Sequence, residues 1–215
     1  ISLKPQNNVY QIEKEIEYLN NQLKDLSERF NLKFIEYGIN PTCKAYEIPI
    51  IAKQRYQIMA NHLNLKMSKF MMRQTSGIQT AFDFESETDA AKKITLSIKL
   101  SPIVTAIFAN SPIYNKKLTK FKSMRSLAWI YTDKNRCGLL NEDLLENFSF
   151  SKYINYIFNI PVIFIVRNNK IIEFDKKTTF SDFYNFGFNG IQAQKEDYLL
   201  HSSLFFPDVR LKSYI

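Results

Sequence analysis

Residues 161–174 read PVIFIVRNNKIIEF. Two β-branched, apolar runs flank the dipeptide Asn168–Asn169. A two-residue connection of this type favours a tight hairpin, because asparagine tolerates the positive φ that such turns require. The stretch predicts two antiparallel strands, PVIFIVR and KIIEF. A hairpin with long returns on either side favours an antiparallel α+β domain over a parallel sheet.

Outward from the hairpin, helical and strand-like periods alternate. Val9, Ile12, Ile16, Leu19, Leu23 and Leu26 recur at three- and four-residue steps with charges between them. This spacing predicts a helix over Asn8–Phe30, ended by Asn31. LKFIEYGI reads as a short strand with a Gly stop, and Arg55–Leu63 as a helix. Ser76–Phe84 alternates, which predicts a strand with Gln79 and Asp83 on the face opposite Ile78, Phe82 and Phe84. Ser86 opens a second long helix, with Glu87 and Asp89 in the first turn, where the helix dipole favours anions. It is expected to reach about Ala109, and Pro102 to kink or split it. Short helices are expected near Glu142–Asn147, Ser151–Phe158 and Gln194–His201, and a last strand at Val209–Tyr214. The start at Ile1 and the end within VRLKSYI are expected of a piece of a longer protein.

The segment from Phe108 to Leu140 brings Asn110, Ser111, Arg125, Trp129, Asp133 and Arg136 into one basic connection that reads as an irregular loop. An ordered loop presenting these groups is a candidate ligand site. The competing reading makes Trp129 a core anchor and leaves the arginines in solvent. Arg125 and Trp129 are four apart, so one helical turn would place both on one face. Residues 51–136 hold fifteen Lys or Arg against five acidic residues. A basic middle implies a polyanionic partner, either nucleotide phosphate or nucleic acid.

Several classes are excluded. No uncharged run is long enough to span a bilayer. Neither common phosphate loop, GxGxxG or GxxxxGK[ST], occurs. Cys43 and Cys137 have no metal spacing and make no disulfide framework, which sets a reducing, cytoplasmic location as the expectation. His62 and His201 lie far apart, with no HExxH. SGIQTAFDFE is a poor match to the aromatic strand of an RNA-binding sheet.

Other strings carry a resemblance. KQRYQIM (53–59), Met71–Met72, Thr75 and Gln79 before FDFES, LSPIVTAIFANSP (100–112), MRSLAW (124–129), TDKNRCGLL (132–140), INYIFNIPVIFIVR (154–167) and HSSLFFPDVRLK (201–212) stand in order along the chain. Together they resemble the plant and proteobacterial type of glutamate–cysteine ligase, family 2. The resemblance spans Leu3 to the last residue, and TAxFANSP and FPxVRLK are its most specific strings.

The resemblance implies an ATP-dependent ligase. Glutamate would be activated at its γ-carboxylate as an acyl phosphate, which the amine of cysteine then attacks, the first step of glutathione synthesis. It implies a glutamine synthetase-like fold: a curved antiparallel sheet with helices packed on one side, residues 1–215 being the central part of a single catalytic domain. Implied ligands are glutamate, cysteine, ATP and Mg²⁺, with no nucleic acid and no membrane. Implied substrate contacts are Arg55, Thr75, Gln79, Arg125, Trp129 and Arg167, with Arg136 and Arg210 for nucleotide and Asp208 for metal. Arginine suits these roles because its planar fork binds carboxylate and phosphate in two-point fashion.

The chain also departs from the family pattern. Lys4, and Gln11 or Tyr10, stand where the family carries two Glu. Gln74 replaces an Arg, Gly77 a Thr, Ala81 an Asn and Tyr131 an Asp, and Asp208 stands for Glu. Fewer carboxylates around a hard cation should weaken Mg²⁺–ATP binding. The alternative expectation is therefore a divergent, catalytically impaired homologue serving as a binding or structural subunit.

Overall fold

A computed structural model describes residues 3–63 and 66–212. They fall into two compact units, Ile1–Glu36 and Tyr37–Ile215.

The first unit is dominated by α1 (Val9–Phe30). Asn8 caps it, its side-chain oxygen accepting from Gln11 N at 3.0 Å, and Asn31 ends it in the left-handed region at φ 50°. Both ends agree with the sequence reading. Before the helix, the backbone N–H of Lys4 and the side-chain amide of Gln6 both donate to Glu15. No residue of α1 is buried.

The second unit is built around Pro161–Phe174. β4 (Phe164–Arg167) and β5 (Lys170–Glu173) pair antiparallel, Phe164 opposite Glu173 and Arg167 opposite Lys170. Asn168 and Asn169 turn the chain with φ 50° and 61°, as the dipeptide requires. Val162, Ile163, Phe164 and Ile165 are each at most 2% exposed. Ile163 and Phe164 pack with Ile58, Met59, Leu63, Met71 and Leu204, and Val162 and Ile165 with Phe174, Phe180 and Phe183. One four-residue run thus serves two apolar clusters.

Helices surround this run. α2 (Gln54–His62) and α3 (Lys66–Gln74) supply Ile58, Met59 and Met71. α4 (Glu87–Ile107) is capped by Ser86, whose Oγ accepts from Asp89 N at 3.1 Å, and Asp89 pairs with Lys93 at 2.7 Å. It continues through Pro102 instead of splitting, since proline removes only one backbone donor and the neighbouring bonds persist. Next come β1 (Ile113–Tyr114), β2 (Lys117–Leu118), α5 (Met124–Ile130), β3 (Cys137–Gly138), α6 (Glu142–Leu145) and α7 (Phe150–Phe158). After β5 follow α8 (Phe180–Phe186), α9 (Lys195–Ser203) and β6 (Phe206–Pro207). The segment expected to be an irregular loop therefore carries a hairpin, a helix and a strand of its own.

The expected curved antiparallel sheet, glutamine synthetase-like with helices on one side, is not present among the described residues. The described strands form three separate two-stranded sheets, β1–β2, β4–β5 and β3–β6, and the last is parallel. LKFIEYGI forms no strand beyond an isolated bridge between Ile39 and Thr75. Ser76 N meets Gly38 O beside that bridge, but the rest of the segment to Phe84 forms no ladder, with Gln79, Ile78, Phe82 and Phe84 all exposed. Alternation specifies two faces but no partner, and a strand exists only where a neighbour takes its backbone bonds. The last strand sits at Phe206–Pro207, before the expected Val209–Tyr214, whose final residues lie outside those described.

α9 places His201 deep in the unit, at 2% exposed. Its ring stacks on Phe180, centroids 5.1 Å apart, and Nε2 donates to the Ile157 carbonyl at 3.0 Å. Nδ1 has no partner among the described residues. Burial lowers the His201 pKa to about 4, the Ile157 bond opposing and the Arg136 charge adding to the fall. The unfolded chain binds this proton first, near pH ~6.5. Stability from His201 is therefore complete above that pH and is lost as pH falls toward 4. The expected loss is on the order of 3 kcal/mol between those limits. Chemical denaturation at pH 7 and pH 4.5 should show a smaller acid loss in His201→Gln than in the parent. An equal loss in both would contradict the assignment.

Candidate functional site

The connection from Phe108 to α5 is tied at its centre. Ser111 N donates to Lys122 O at 3.0 Å, and Met124 N to Ser111 O at 3.1 Å. Ser123 caps α5, its Oγ accepting from Ser126 N at 3.2 Å, and Arg125 N donates to the buried Ser111 Oγ at 3.2 Å. Thr132, fully buried, closes the other end by donating to Ala128 O at 2.7 Å. A seven-residue helix is thus fixed at both ends.

Arg125 and Trp129 share one face of α5. The guanidinium carbon lies 5.7 Å from the Trp129 ring centroid, within cation–π range. Arg125 Nε donates to Ser76 O at 2.5 Å, while its terminal nitrogens have no partner among the described residues. Burial lowers the Arg125 pKa, and the negative charge of Asp208 opposes that fall. Trp129 also packs edge-on against Phe206, centroids 6.1 Å apart, and its buried Nε1 has no partner among the described residues. Trp129 therefore packs against a core cluster, as its core-anchor reading has it, and faces Arg125 at once.

Asp208 is exposed, and its Oδ2 accepts from Ser101 Oγ at 3.2 Å. Thr75 Oγ1 donates to Met71 O at 2.7 Å. Ser76, next to Thr75 in the chain, and Gly77 lie against the Arg125 guanidinium, while Gly38, with Asn110 and Ser111 beside it, lies against the arginine stem.

The other arginines are placed differently. Arg136 is 2% exposed: one terminal nitrogen donates to Asp133 at 3.0 Å and the other to the Pro161 carbonyl. Arg167 grips Asp197, itself 2% exposed, through both terminal nitrogens, and also donates to Gln192 O at 3.2 Å. Arg210 donates to Phe205 O at 2.5 Å. Arg55 is exposed, its guanidinium 5.3 Å from the neighbouring Tyr56 ring, and Gln79 is exposed on the unpaired segment. A separate polar cleft of about 360 Å³ lies between α2 and α3, lined by Gln57, Asn61, Lys69 and Arg73 among others, and holds none of the expected site residues.

Burial pushes the Cys137 thiol up to about 12, Asp133 adding to the shift, so it stays protonated at neutral pH. Sequence reasoning missed Ser76, Gly77 and Phe206 as neighbours of the site. Only the three-dimensional closeness of residues 76–77 and 125 reveals them.

A family model, glutamate–cysteine ligase family 2, matches residues 1–215. The chloroplastic glutamate–cysteine ligase of Nicotiana tabacum is 35% identical over 199 residues, covering 90% of this chain and 38% of that protein. Glutamate–cysteine ligase A of Oryza sativa subsp. japonica is 36% identical over 202 residues, covering 90% and 40%. The Arabidopsis thaliana enzyme is 35% identical over 199 residues, with shares of 90% and 38%. The chain spans about two-fifths of the length of the curated relatives it matches. These relatives are named chloroplastic, which corrects the cytoplasmic expectation. Cys43 and Cys137 are free, and free cysteines carry no address.

The geometry assigns Arg136 to the protein interior. Truncating one member of a buried ion pair costs about 3 kcal/mol or more, because the other is left uncompensated. Arg136→Ala should therefore lower the urea midpoint markedly. A variant with parental stability would contradict this role.

Proposed function

The chain belongs to glutamate–cysteine ligase family 2, and from that premise we propose that it takes part in ATP-dependent ligation of the glutamate γ-carboxylate to the amine of cysteine. Residues 1–215 are read as the central part of the catalytic domain. The observation that carries the reading is the Arg125 guanidinium, held at Nε by Ser76 O, lying by Trp129 and offering its terminal nitrogens. Such a fork matches a carboxylate in geometry and charge. Arg125 binds a glutamate carboxylate, Trp129 walls the same site, and half-burial strengthens the contact by thinning the water around it. Thr75 and Asp208 border this site. Arg55, Gln79 and Arg210 keep their proposed substrate and nucleotide roles, whereas Arg136 and Arg167 are engaged by Asp133 and Asp197.

ATP with Mg²⁺ would supply the activating phosphoryl group. The described residues do not by themselves fit a magnesium shell. Asp208 offers one carboxylate, engaged with Ser101, and no three carboxylate, thiol or imidazole groups converge among the described residues. Magnesium prefers several hard oxygen ligands. The contribution derived for this chain is accordingly substrate binding and orientation. Orientation alone can lower a bimolecular barrier substantially. The same shortage of carboxylates supports a second reading, a catalytically impaired homologue that binds substrate.

Arg125→Lys keeps the charge and loses the fork. It should raise the glutamate KM roughly tenfold, the equivalent of one charge-assisted hydrogen bond. The check is a coupled phosphate-release assay with glutamate, cysteine, ATP and Mg²⁺. An unchanged glutamate KM would overturn the assignment. If the protein shows no turnover, glutamate affinity by calorimetry gives the same comparison and favours the second reading.

A further inference from the structure

Arg125 rests in a cradle made by two glycines from segments far away in sequence. A Cβ built on Gly38 would lie 3.3 Å from Arg125 Cδ, 2.8 Å from Asn110 Oδ1 and 3.4 Å from Ser111 Oγ. A Cβ built on Gly77 would lie 2.3 Å from Arg125 Nη2, 2.9 Å from Cζ and 3.1 Å from Nε. The stem of the arginine therefore passes Gly38, and its head lies against Gly77.

The two glycine segments are joined to one another. Ser76 N donates to Gly38 O at 3.1 Å, and Ser76 Oγ to Tyr37 O at 2.6 Å. The floor beneath the guanidinium is thus hydrogen-bonded backbone. Gly77 does not adopt the left-handed region, so any residue could take its backbone conformation. What it supplies is space. With no side chain at 77, the guanidinium can reach the Ser76 carbonyl and stay there.

We infer that Gly77 is a positioning residue for Arg125: its missing side chain lets the guanidinium settle on the 76–77 peptide beside Trp129, with its terminal nitrogens left for a ligand carboxylate. The ligand part of this statement rests on the proposed function; the positioning part does not. Any side chain at 77 drives the guanidinium off Ser76 O and changes its distance from the indole. The atom displaced is the far end of a flexible side chain, so the fold itself is not strained.

The test is Gly77→Ala in this chain, whose only tryptophan is Trp129. Trp129 emission and acrylamide quenching should change, while far-UV circular dichroism and the thermal midpoint stay at parental values. The glutamate KM, or the dissociation constant by calorimetry, should rise roughly fivefold, a loss expected of a misplaced binding group, with kcat within about twofold. Parental emission and quenching in Gly77→Ala overturn the inference. Changed emission with parental glutamate affinity upholds the positioning role and instead overturns the proposal that Arg125 receives the glutamate carboxylate. Arg125→Lys, which removes the fork and leaves Gly77 in place, should reproduce the affinity loss.

Discussion

A charge held inside the protein organises the second unit. A guanidinium cannot be buried unpaired without a large penalty, so the chain must bring partners to Arg136. It does so from two directions. Asp133 comes from the same turn, where its backbone carbonyl also accepts from Arg136 N at 3.1 Å and Cys137 N at 2.9 Å. Pro161 O comes from the entrance to the most buried strand. The carbonyl of Arg136 then receives Phe206 N at 2.8 Å, and Gly138 O receives Asp208 N at 2.9 Å, which registers β3 against β6. Through that register Phe206 meets Trp129 and Asp208 stands near Arg125. The position of the candidate site thus follows from satisfying one buried cation.

The basic excess of the middle region consequently divides into roles that composition cannot separate. Arg136 and Arg167 are consumed by Asp133 and Asp197 and hold elements together. Arg125 is half-buried yet, among the described residues, spends only Nε on a hydrogen bond. A desolvated cation with unspent donors is poised for an anionic group in a way that a solvated lysine is not. A glutamate carboxylate is the partner proposed for this cation, because Arg125 combines half-burial with terminal nitrogens that have no partner among the described residues.

Legibility in the sequence followed the range of the interactions. α1, with Asn8 and Asn31 at its ends, and the β4–β5 turn at Asn168–Asn169 are set by local chemistry, and both are readable within a few residues. α8 carries a local signal too: Thr179 and Asp182 form a capping box within TTFSD. α5 hid in an apparent loop because seven residues are too few to show a period. The strands at 32–39 and 76–84 failed for another reason. Their alternation is real, but a ladder depends on residues distant in sequence, and no strand pairs with them among those described. At the site, the residue types Arg125 and Trp129 were legible, whereas the cradle of Gly38 and Gly77 was not, since only folding brings those four residues together.

The most direct test of the central claim watches the arginines themselves. The protein labelled with ¹⁵N-arginine would be titrated with L-glutamate while the guanidinium resonances are followed, Arg125→Lys providing the assignment. The expected result is a saturable shift of the Arg125 Nη signals, with the Arg136 and Arg167 signals unmoved because their donors are already engaged. Shifts confined to other arginines, or none at Arg125 at saturating glutamate, would contradict it.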